Sequence, residues 1–177
     1  MLQRPATAGA SIDKIDNLHR NIWASALSLE GLSWRIMNVV YSTTVSSVGG
    51  RDGTIRSDDG MLDLKVAMPH SLGGAGGATN PEQLFAAGYA ACFADAVMQA
   101  TRNNGHEVLE QDIEVVAEVD LEASFDGSFG LALSVIVMIA GVGQKIAEQI
   151  VHAANAICPY SNAVRGNINV AISVVTR

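Results

Sequence analysis

The chain contains two cysteines, Cys92 and Cys158, which are the side chains best suited to nucleophilic or redox chemistry. Only the thiolate form of cysteine is a nucleophile, so the chemistry of each residue depends on how readily its thiol ionises. Cys92 lies among small apolar residues, and burial in such surroundings raises a thiol pKa. The two cysteines do not form a Cys-x-x-Cys motif, so the sequence leaves three options open: structural thiols, reactive thiols or one redox pair.

A reactive Cys92 requires a nearby cation that keeps its charge when buried. Arg51 is the candidate, because it lies in a turn flanked by glycines that can direct its side chain inward, and arginine does not give up its proton. A buried arginine in turn requires a carboxylate. Glu82 could supply it, although an acid in the first turn of a helix is also favoured by the helix dipole alone. Asp95, one turn after Cys92, would oppose ionisation of the thiol.

The segment that carries Cys92 and Glu82 predicts a long helix over Asn80 to Asn104. Asn80 is a suitable N-cap, Pro81 suits the first helical position, and Gln83 can complete a capping box. Apolar residues occupy nearly every side of this segment, which is typical of a buried helix. Small residues at its centre would allow other backbones to approach closely.

Strand patterns precede and follow this helix and predict an α+β domain. Turn signals at Asp52-Gly53 and Asp59-Gly60 indicate a small antiparallel meander before the helix. A glycine-rich stretch, Ser71 to Asn80, lacks the Walker and dinucleotide-binding patterns and is interpreted as a connector. The other predicted elements are strands at Val39–Val48, Met61–Val66, Ile113–Glu122, Phe129–Ala140 and Asn167–Val175, and a second helix at Gln144–Ile157.

Composition excludes several classes of function. A net charge of −7 disfavours nucleic acids and anionic membranes as partners, and no apolar run is long enough to span a bilayer. Two cysteines are too few for a disulfide scaffold, and the four histidines show no ligand spacing, so no metal site is expected. Residues 1–36 lack the regular strand and helix patterns of the later residues. They are predicted to be an N-terminal extension, helical or disordered, before one domain over 37–177.

Three separated segments together closely resemble the organic hydroperoxide resistance (Ohr) family of the OsmC-like proteins. They are TNPEQLFAAGYAACF at Thr79–Phe93, GGRDG at Gly49–Gly53 and CPYSNAVRGN at Cys158–Asn167. The resemblance runs from about Met37 to the C-terminus, and residues 1–36 lie outside it. It implies an OsmC-like fold with antiparallel sheets around a long buried central helix, assembled as an intertwined homodimer.

The resemblance also implies a thiol-dependent peroxidase that acts on organic hydroperoxides. Cys92 would be the peroxidatic thiolate, Cys158 the resolving thiol that forms a disulfide with it, Arg51 the activating cation and Glu82 the carboxylate that holds Arg51. No bound cofactor is implied, since the disulfide would be reduced by an external dithiol, dihydrolipoamide on lipoylated proteins. A cycle that needs constant reduction indicates the cytoplasm.

An apolar pocket around Leu84, Phe85 and Phe93 would favour fatty-acid or alkyl hydroperoxides over hydrogen peroxide. At ~1.5 Å of rise per residue, a straight helix separates the backbones of Glu82 and Cys92 by ~15 Å. One arginine could not easily contact both within a chain. We therefore expect Arg51 and Glu82 to serve the Cys92 of a second chain.

Two alternatives remain at this point. The first is the sister OsmC type, with the same chemistry but a different substrate and reductant preference. The second is a non-enzymatic dimer whose apolar pocket carries a ligand and whose thiols are structural. Arg51 and Glu82 argue against the second alternative, because an apolar-ligand carrier does not need them.

Overall fold

A computed structural model describes residues 38–177 of the chain. The predicted extension over residues 1–36 lies outside this part of the chain. The described residues contain six strands and three α-helices in the order strands, helix, strands, helices, strand, which confirms the predicted α+β class. None of the helices in this range is both long enough and apolar enough to cross a membrane.

The first sheet is a small antiparallel meander, as predicted from the two turn signals. It comprises β1 (Val45–Val48), β2 (Thr54–Ser57) and β3 (Asp63–Lys65). The first strand begins later than the sequence suggested, at Val45 rather than Val39. A short 3-10 turn over Gly50–Asp52 connects β1 to β2, and it carries Arg51.

The helix α1 (Pro81–Asn103) has the predicted start. The side chain of Asn80 accepts a hydrogen bond from the backbone N–H of Gln83 at 2.9 Å. The capping box is only half formed, because the Gln83 side chain accepts a hydrogen bond from Thr79 instead of returning to Asn80. Within one chain α1 buries a single face, whereas Ala87 and Ala91 on the opposite face are exposed.

The second sheet comprises β4 (Ile113–Ala123), β5 (Phe129–Ile139) and β6 (Val170–Thr176). The pairing of β4 with β5 is antiparallel, as expected, whereas β5 and β6 pair in parallel. The reason is connectivity: β6 is reached through a helical crossover, and parallel pairs require one. That crossover contains α2 (Gln144–Ile157) and α3 (Pro159–Val164).

The core lies where α1 packs against β4 and α2, and where α2 packs against β6. Its side chains are the inward face of α1, alternate residues of the strands and one side of α2. The largest fully buried side chains include Tyr89, Phe93, Val97, Val135, Val137, Ile139 and Ile150. Cys158 is buried among them, and Cys92 lies at the edge of this core.

Candidate active site

Arg51 and Glu82 form a bidentate ion pair. The two terminal nitrogens of the Arg51 guanidinium donate hydrogen bonds of 2.9 and 2.6 Å to the two oxygens of the Glu82 carboxylate. These hydrogen bonds lower the pKa of Glu82, so the carboxylate stays charged. Two parallel bonds fix the plane of the guanidinium as well as its position. The structure thus brings together the arginine and the carboxylate that the sequence singled out.

The turn that presents Arg51 depends on glycine at both ends. Gly49 has a φ of +84°, which an L side chain rarely adopts. A Cβ on Gly53 would overlap the backbone oxygen of Val48. The carboxylate of Asp52 also accepts a hydrogen bond from the backbone N–H of Met68 at 2.9 Å. Arg51 is therefore held on a tightly constrained loop.

The sulfur atoms of Cys92 and Cys158 lie 3.8 Å apart, and both thiols are free. Cys158 is completely buried, whereas Cys92 is partly accessible. A disulfide requires an S–S distance of about 2.05 Å, so the sulfurs must approach by roughly 1.8 Å to form one. A small solute can reach Cys92 more easily than Cys158. The geometry suits attack at Cys92 followed by bond formation with Cys158.

The surroundings of Cys92 within one chain favour the neutral thiol. Burial raises the pKa of Cys92, and the neighbouring Cys158 and the charge of Asp95 act in the same direction. The backbone N–H of Tyr160 acts in the opposite direction and lowers the pKa of Cys92. Within residues 38–177 no basic side chain is among the main contributions to this shift. A thiolate at Cys92 therefore needs a positive charge from elsewhere.

Cys158 stands at a corner where α2 ends and α3 begins. Pro159 ends α2, as expected, but it also occupies the first position of α3, a helix that the sequence patterns did not predict. The side chains of Asn162 and Arg165 donate to the backbone oxygens of Ala156 and Asn155 at 3.3 and 2.9 Å. These bonds satisfy carbonyl groups that the end of a helix leaves without partners. The corner is thereby fixed to the end of α2.

Tyr160 is a site residue that sequence reasoning missed. Its backbone contacts the Cys92 sulfur, and its side chain covers Gly88 on α1. A Cβ on Gly88 would lie 2.9 Å from the Tyr160 hydroxyl oxygen, so no larger residue fits there without displacing the ring. The sequence feature that could have indicated a residue packed here is Gly88. Glycine in a helix interior is unfavourable, and it often marks a close approach of another element.

A cavity of about 810 Å³ adjoins the ion pair. Its lining is mainly apolar apart from Arg51, Glu82 and a few other polar positions, and it includes Phe85, Leu121, Phe129, Leu131 and Ile168. A smaller cavity of about 320 Å³ shares Arg51, Leu121 and Phe129 with it and adds Met68 and Leu72.

The three residues predicted to line a substrate pocket have different environments. Phe85 lines the larger cavity, and its ring centroid lies 6.2 Å from that of Tyr89. Leu84 is half-buried and is not among the residues that line this cavity. Phe93 is fully buried and stacks on Tyr89, so within one chain it lies in the core and not in the predicted pocket. The physical reason is that Phe93 lies on the face of α1 that packs inward.

Within one chain the two groups of candidate residues lie apart. The ion pair and cavity lie at the start of α1, whereas the two thiols lie near its middle, ~15 Å further along the helix axis. Cys92 does not line either cavity described above. Within residues 38–177 no group of three or more His, Cys, Asp or Glu side chains is placed to hold a metal ion.

The chain is similar to known proteins over most of its length. The family model described as OsmC-like protein matches residues 74–173. An organic hydroperoxide resistance protein from Xanthomonas axonopodis is 40% identical over 137 residues, which cover 77% of this chain and 95% of that protein. The protein OhrB of Bacillus subtilis, also named for organic hydroperoxide resistance, is 39% identical over 76% of this chain and 98% of its own length.

Solved structures agree with these matches. An organic hydroperoxide resistance protein from Legionella pneumophila is 44% identical, with a TM-score of 0.74 over 78% of this chain and 99% of that chain. One from Elizabethkingia anophelis is 38% identical, with a TM-score of 0.75 over 80% and 100%. An OsmC-like protein from Mycoplasma pneumoniae, at 16% identity and a TM-score of 0.61, shares the fold alone. With its two cysteines, its Arg51–Glu82 pair and these similarities, the chain belongs to the organic hydroperoxide resistance group of the OsmC-like family.

Proposed function

We propose that the chain is a cysteine-based peroxidase that reduces organic hydroperoxides to alcohols and so protects against oxidative stress. The observation that carries the proposal is the pair of free thiols, 3.8 Å apart, of which one is accessible and the other is buried. Several relatives at about 40% identity are named for organic hydroperoxide resistance, whereas the solved structures at 15–20% identity support the fold only. This difference favours an Ohr-type substrate preference over the sister OsmC type.

The first step oxidises Cys92. Its thiolate attacks the distal oxygen of the hydroperoxide, the O–O bond breaks, and the departing alkoxide takes a proton to leave as an alcohol. Cys92 is left as a sulfenic acid. Partial exposure of Cys92 provides the access that this step needs.

The second step forms a disulfide. The Cys158 sulfur attacks the Cys92 sulfur, the S–O bond breaks, and hydroxide leaves as water with the proton of the Cys158 thiol. The buried position of Cys158 protects it from direct oxidation by the peroxide. Formation of the disulfide prevents further oxidation of Cys92 to the irreversible sulfinic acid.

The activating cation is Arg51 of a second chain in an intertwined homodimer. Two observations support this assignment: Arg51 is fixed to Glu82 at the far end of α1, and Cys92 has a raised pKa when one chain is considered alone. The exposed face of α1 carries Ala87 and Ala91, whose small side chains would let another chain approach closely. A partner's ion pair at Cys92 would reverse the pKa shift.

The substrate binds in the apolar cavity beside the ion pair. Its volume of about 810 Å³ lies within the range of small-molecule sites, roughly 300–1,000 Å³. Side chains such as Phe85, Leu131 and Ile168 would contact an alkyl chain or an aromatic ring. Hydrogen peroxide gains nothing from such contacts, so the cavity favours fatty-acid and alkyl hydroperoxides.

Dihydrolipoamide, carried on lipoylated proteins, restores the two thiols by disulfide exchange. The chain then needs no bound cofactor, and it would function in a compartment that supplies reductant, the cytoplasm. The exchange requires the reductant to reach the Cys92 sulfur, because Cys158 is inaccessible.

The test is to mix the reduced full-length chain with cumene hydroperoxide and to follow peroxide loss together with dihydrolipoamide oxidation. We expect turnover with dihydrolipoamide, little with thioredoxin, slower reaction with hydrogen peroxide, and none in Cys92→Ser. Equal rates with both peroxides would support the OsmC type. No loss of free thiols after exposure to tert-butyl hydroperoxide would support the apolar-ligand carrier and contradict the proposal.

A further inference from the structure

The segment that carries Cys158 is joined to α1 by a buried hydrogen bond that does not involve either sulfur. The hydroxyls of Tyr89 and Ser161 lie 2.8 Å apart, and both residues are almost completely buried. Tyr89 lies on α1, nearly one turn before Cys92, and Ser161 lies on α3, three residues after Cys158. The bond therefore joins the two elements that carry the two sulfurs.

Two further contacts surround this hydrogen bond. The ring of Tyr160 packs edge-on against that of Tyr89, with centroids 5.9 Å apart. The close approach of the Tyr160 hydroxyl to Gly88 lets α3 lie directly against α1. Together with the Tyr160 N–H that faces Cys92, these contacts set the separation of α1 and α3 next to the sulfurs.

We propose that Tyr89 and Ser161 are positioning residues for disulfide formation: their hydrogen bond holds Cys158 within reach of Cys92 after Cys92 has been oxidised. The inference rests on the proposed function, in which the hydroperoxide supplies the oxidising equivalent. Neither hydroxyl forms a hydrogen bond with either sulfur. Their effect is on the step in which the S–S bond forms and water leaves.

The physical reason is competition between two fates of the sulfenic acid. Attack by Cys158 gives the disulfide, whereas a second hydroperoxide gives the sulfinic acid. A sulfur held near its attack position needs little further ordering, so loss of the hydrogen bond slows the intramolecular reaction but not the reaction with peroxide. The fraction that becomes sulfinic acid then rises.

The experiment compares Tyr89→Phe, Ser161→Ala and the double variant with the unaltered full-length chain. Mixing with one equivalent of cumene hydroperoxide, and following peroxide loss and disulfide formation separately, resolves the two steps. We expect Tyr89→Phe and Ser161→Ala each to slow disulfide formation about fivefold, the kinetic equivalent of one neutral hydrogen bond, with peroxide loss changed less than about twofold. The double variant should be no slower than either single variant, because all three lack the same bond.

Two controls separate positioning from loss of stability. Thr101→Val removes another buried hydroxyl on α1, which bonds within the helix at Val97, and it should leave the disulfide rate unchanged. Ser161→Thr keeps a hydroxyl and should restore a rate close to that of the unaltered chain. The sulfinic acid fraction, measured by mass spectrometry in excess peroxide, should rise in Tyr89→Phe and not in Thr101→Val.

The inference is overturned if folded Tyr89→Phe and Ser161→Ala form the disulfide as fast as the unaltered chain, or if their effects simply add in the double variant. Failure of the proposed function is distinguished by diamide, which oxidises the dithiol without a hydroperoxide. If the variants form the Cys92–Cys158 disulfide more slowly than the unaltered chain in diamide, the positioning role is supported, even if the unaltered chain consumes no hydroperoxide. Equal rates of disulfide formation in diamide contradict the positioning role.

Discussion

The guanidinium of Arg51 is held by the Glu82 carboxylate through two hydrogen bonds of 2.9 and 2.6 Å, across 31 residues of sequence. The pair lies at the first turn of the helix that carries Cys92 in its middle. An arginine held in this way cannot turn toward the Cys92 of its own chain without losing its carboxylate. Its position instead suits the presentation of a fixed positive charge to another chain.

Glu82→Gln should weaken the dependence of stability on acid pH. Because Arg51 lowers the pKa of Glu82 in the folded chain, the unfolded chain binds the proton more readily. The pair therefore stabilises the fold fully above the unfolded pKa of about 4.5, and this stabilisation is lost as the pH falls through the lower folded pKa. Urea unfolding at several pH values between neutrality and this acid range measures the change.

The unaltered chain should lose more unfolding free energy over this range than Glu82→Gln does. Glu107→Gln, which alters an exposed carboxylate in a loop, is the matched control and should behave like the unaltered chain. Parallel losses in the unaltered chain and in Glu82→Gln would show that the ion pair does not contribute.

Phe85→Ala should reduce selectivity for bulky hydroperoxides. The ring lines the larger cavity, and removing it takes away apolar contacts with the substrate. We expect the KM for cumene hydroperoxide to rise about tenfold, equivalent to roughly 1.4 kcal/mol of lost contact, with the rate for hydrogen peroxide unchanged. Leu109→Ala, at an exposed position outside the cavity, is the control. A similar loss with both peroxides would place Phe85 outside the substrate site.

Cys158→Ser should separate the two steps of the reaction. With no resolving thiol, we expect one rapid consumption of hydroperoxide per chain, followed by accumulation of sulfenic and then sulfinic acid at Cys92. Mass spectrometry after addition of a stoichiometric amount and of an excess of peroxide would measure these products. Steady-state turnover equal to that of the unaltered chain would mean that Cys158 does not resolve the intermediate.

Mixed dimers test whether the site is shared between chains. A dimer of Arg51→Ala with Cys92→Ser contains one complete site if Arg51 acts across the interface, and none if it acts within its own chain. After unfolding and refolding of an equal mixture, we expect about one quarter of the activity of the unaltered protein, since half of the random dimers are mixed and each has one intact site. Activity no higher than that of Arg51→Ala alone would place Arg51 and Cys92 in the same chain.

Local sequence signals predicted most of the elements but not how they face one another. The Asn80 cap and the proline after it located the start of α1, and alternation located β4 and β5, because these signals act over a few residues. The burial of Phe93 was not predictable, because a helix with apolar residues on all sides does not reveal which of them meets the core. The parallel pairing of β6 depends on a crossover, which no local pattern specifies.

The candidate site was predictable only where its residues are chemically distinctive. Cys92, Cys158, Arg51 and Glu82 are of chemically distinctive types, so the sequence could single them out. Tyr160 could not be found in this way, because its contribution to Cys92 is a backbone N–H, which every residue except proline possesses. Its position depends on the packing of α3 on α1.

The most direct test of the proposed activation is to titrate the Cys92 thiol in the assembled protein, with and without Arg51. Alkylation rates as a function of pH report mainly on Cys92, because Cys158 is inaccessible. We predict that the pKa of Cys92 lies below the ordinary value of a cysteine thiol in the unaltered protein and rises in Arg51→Ala. A pKa at or above the ordinary value, unchanged by Arg51→Ala, would contradict activation by this arginine.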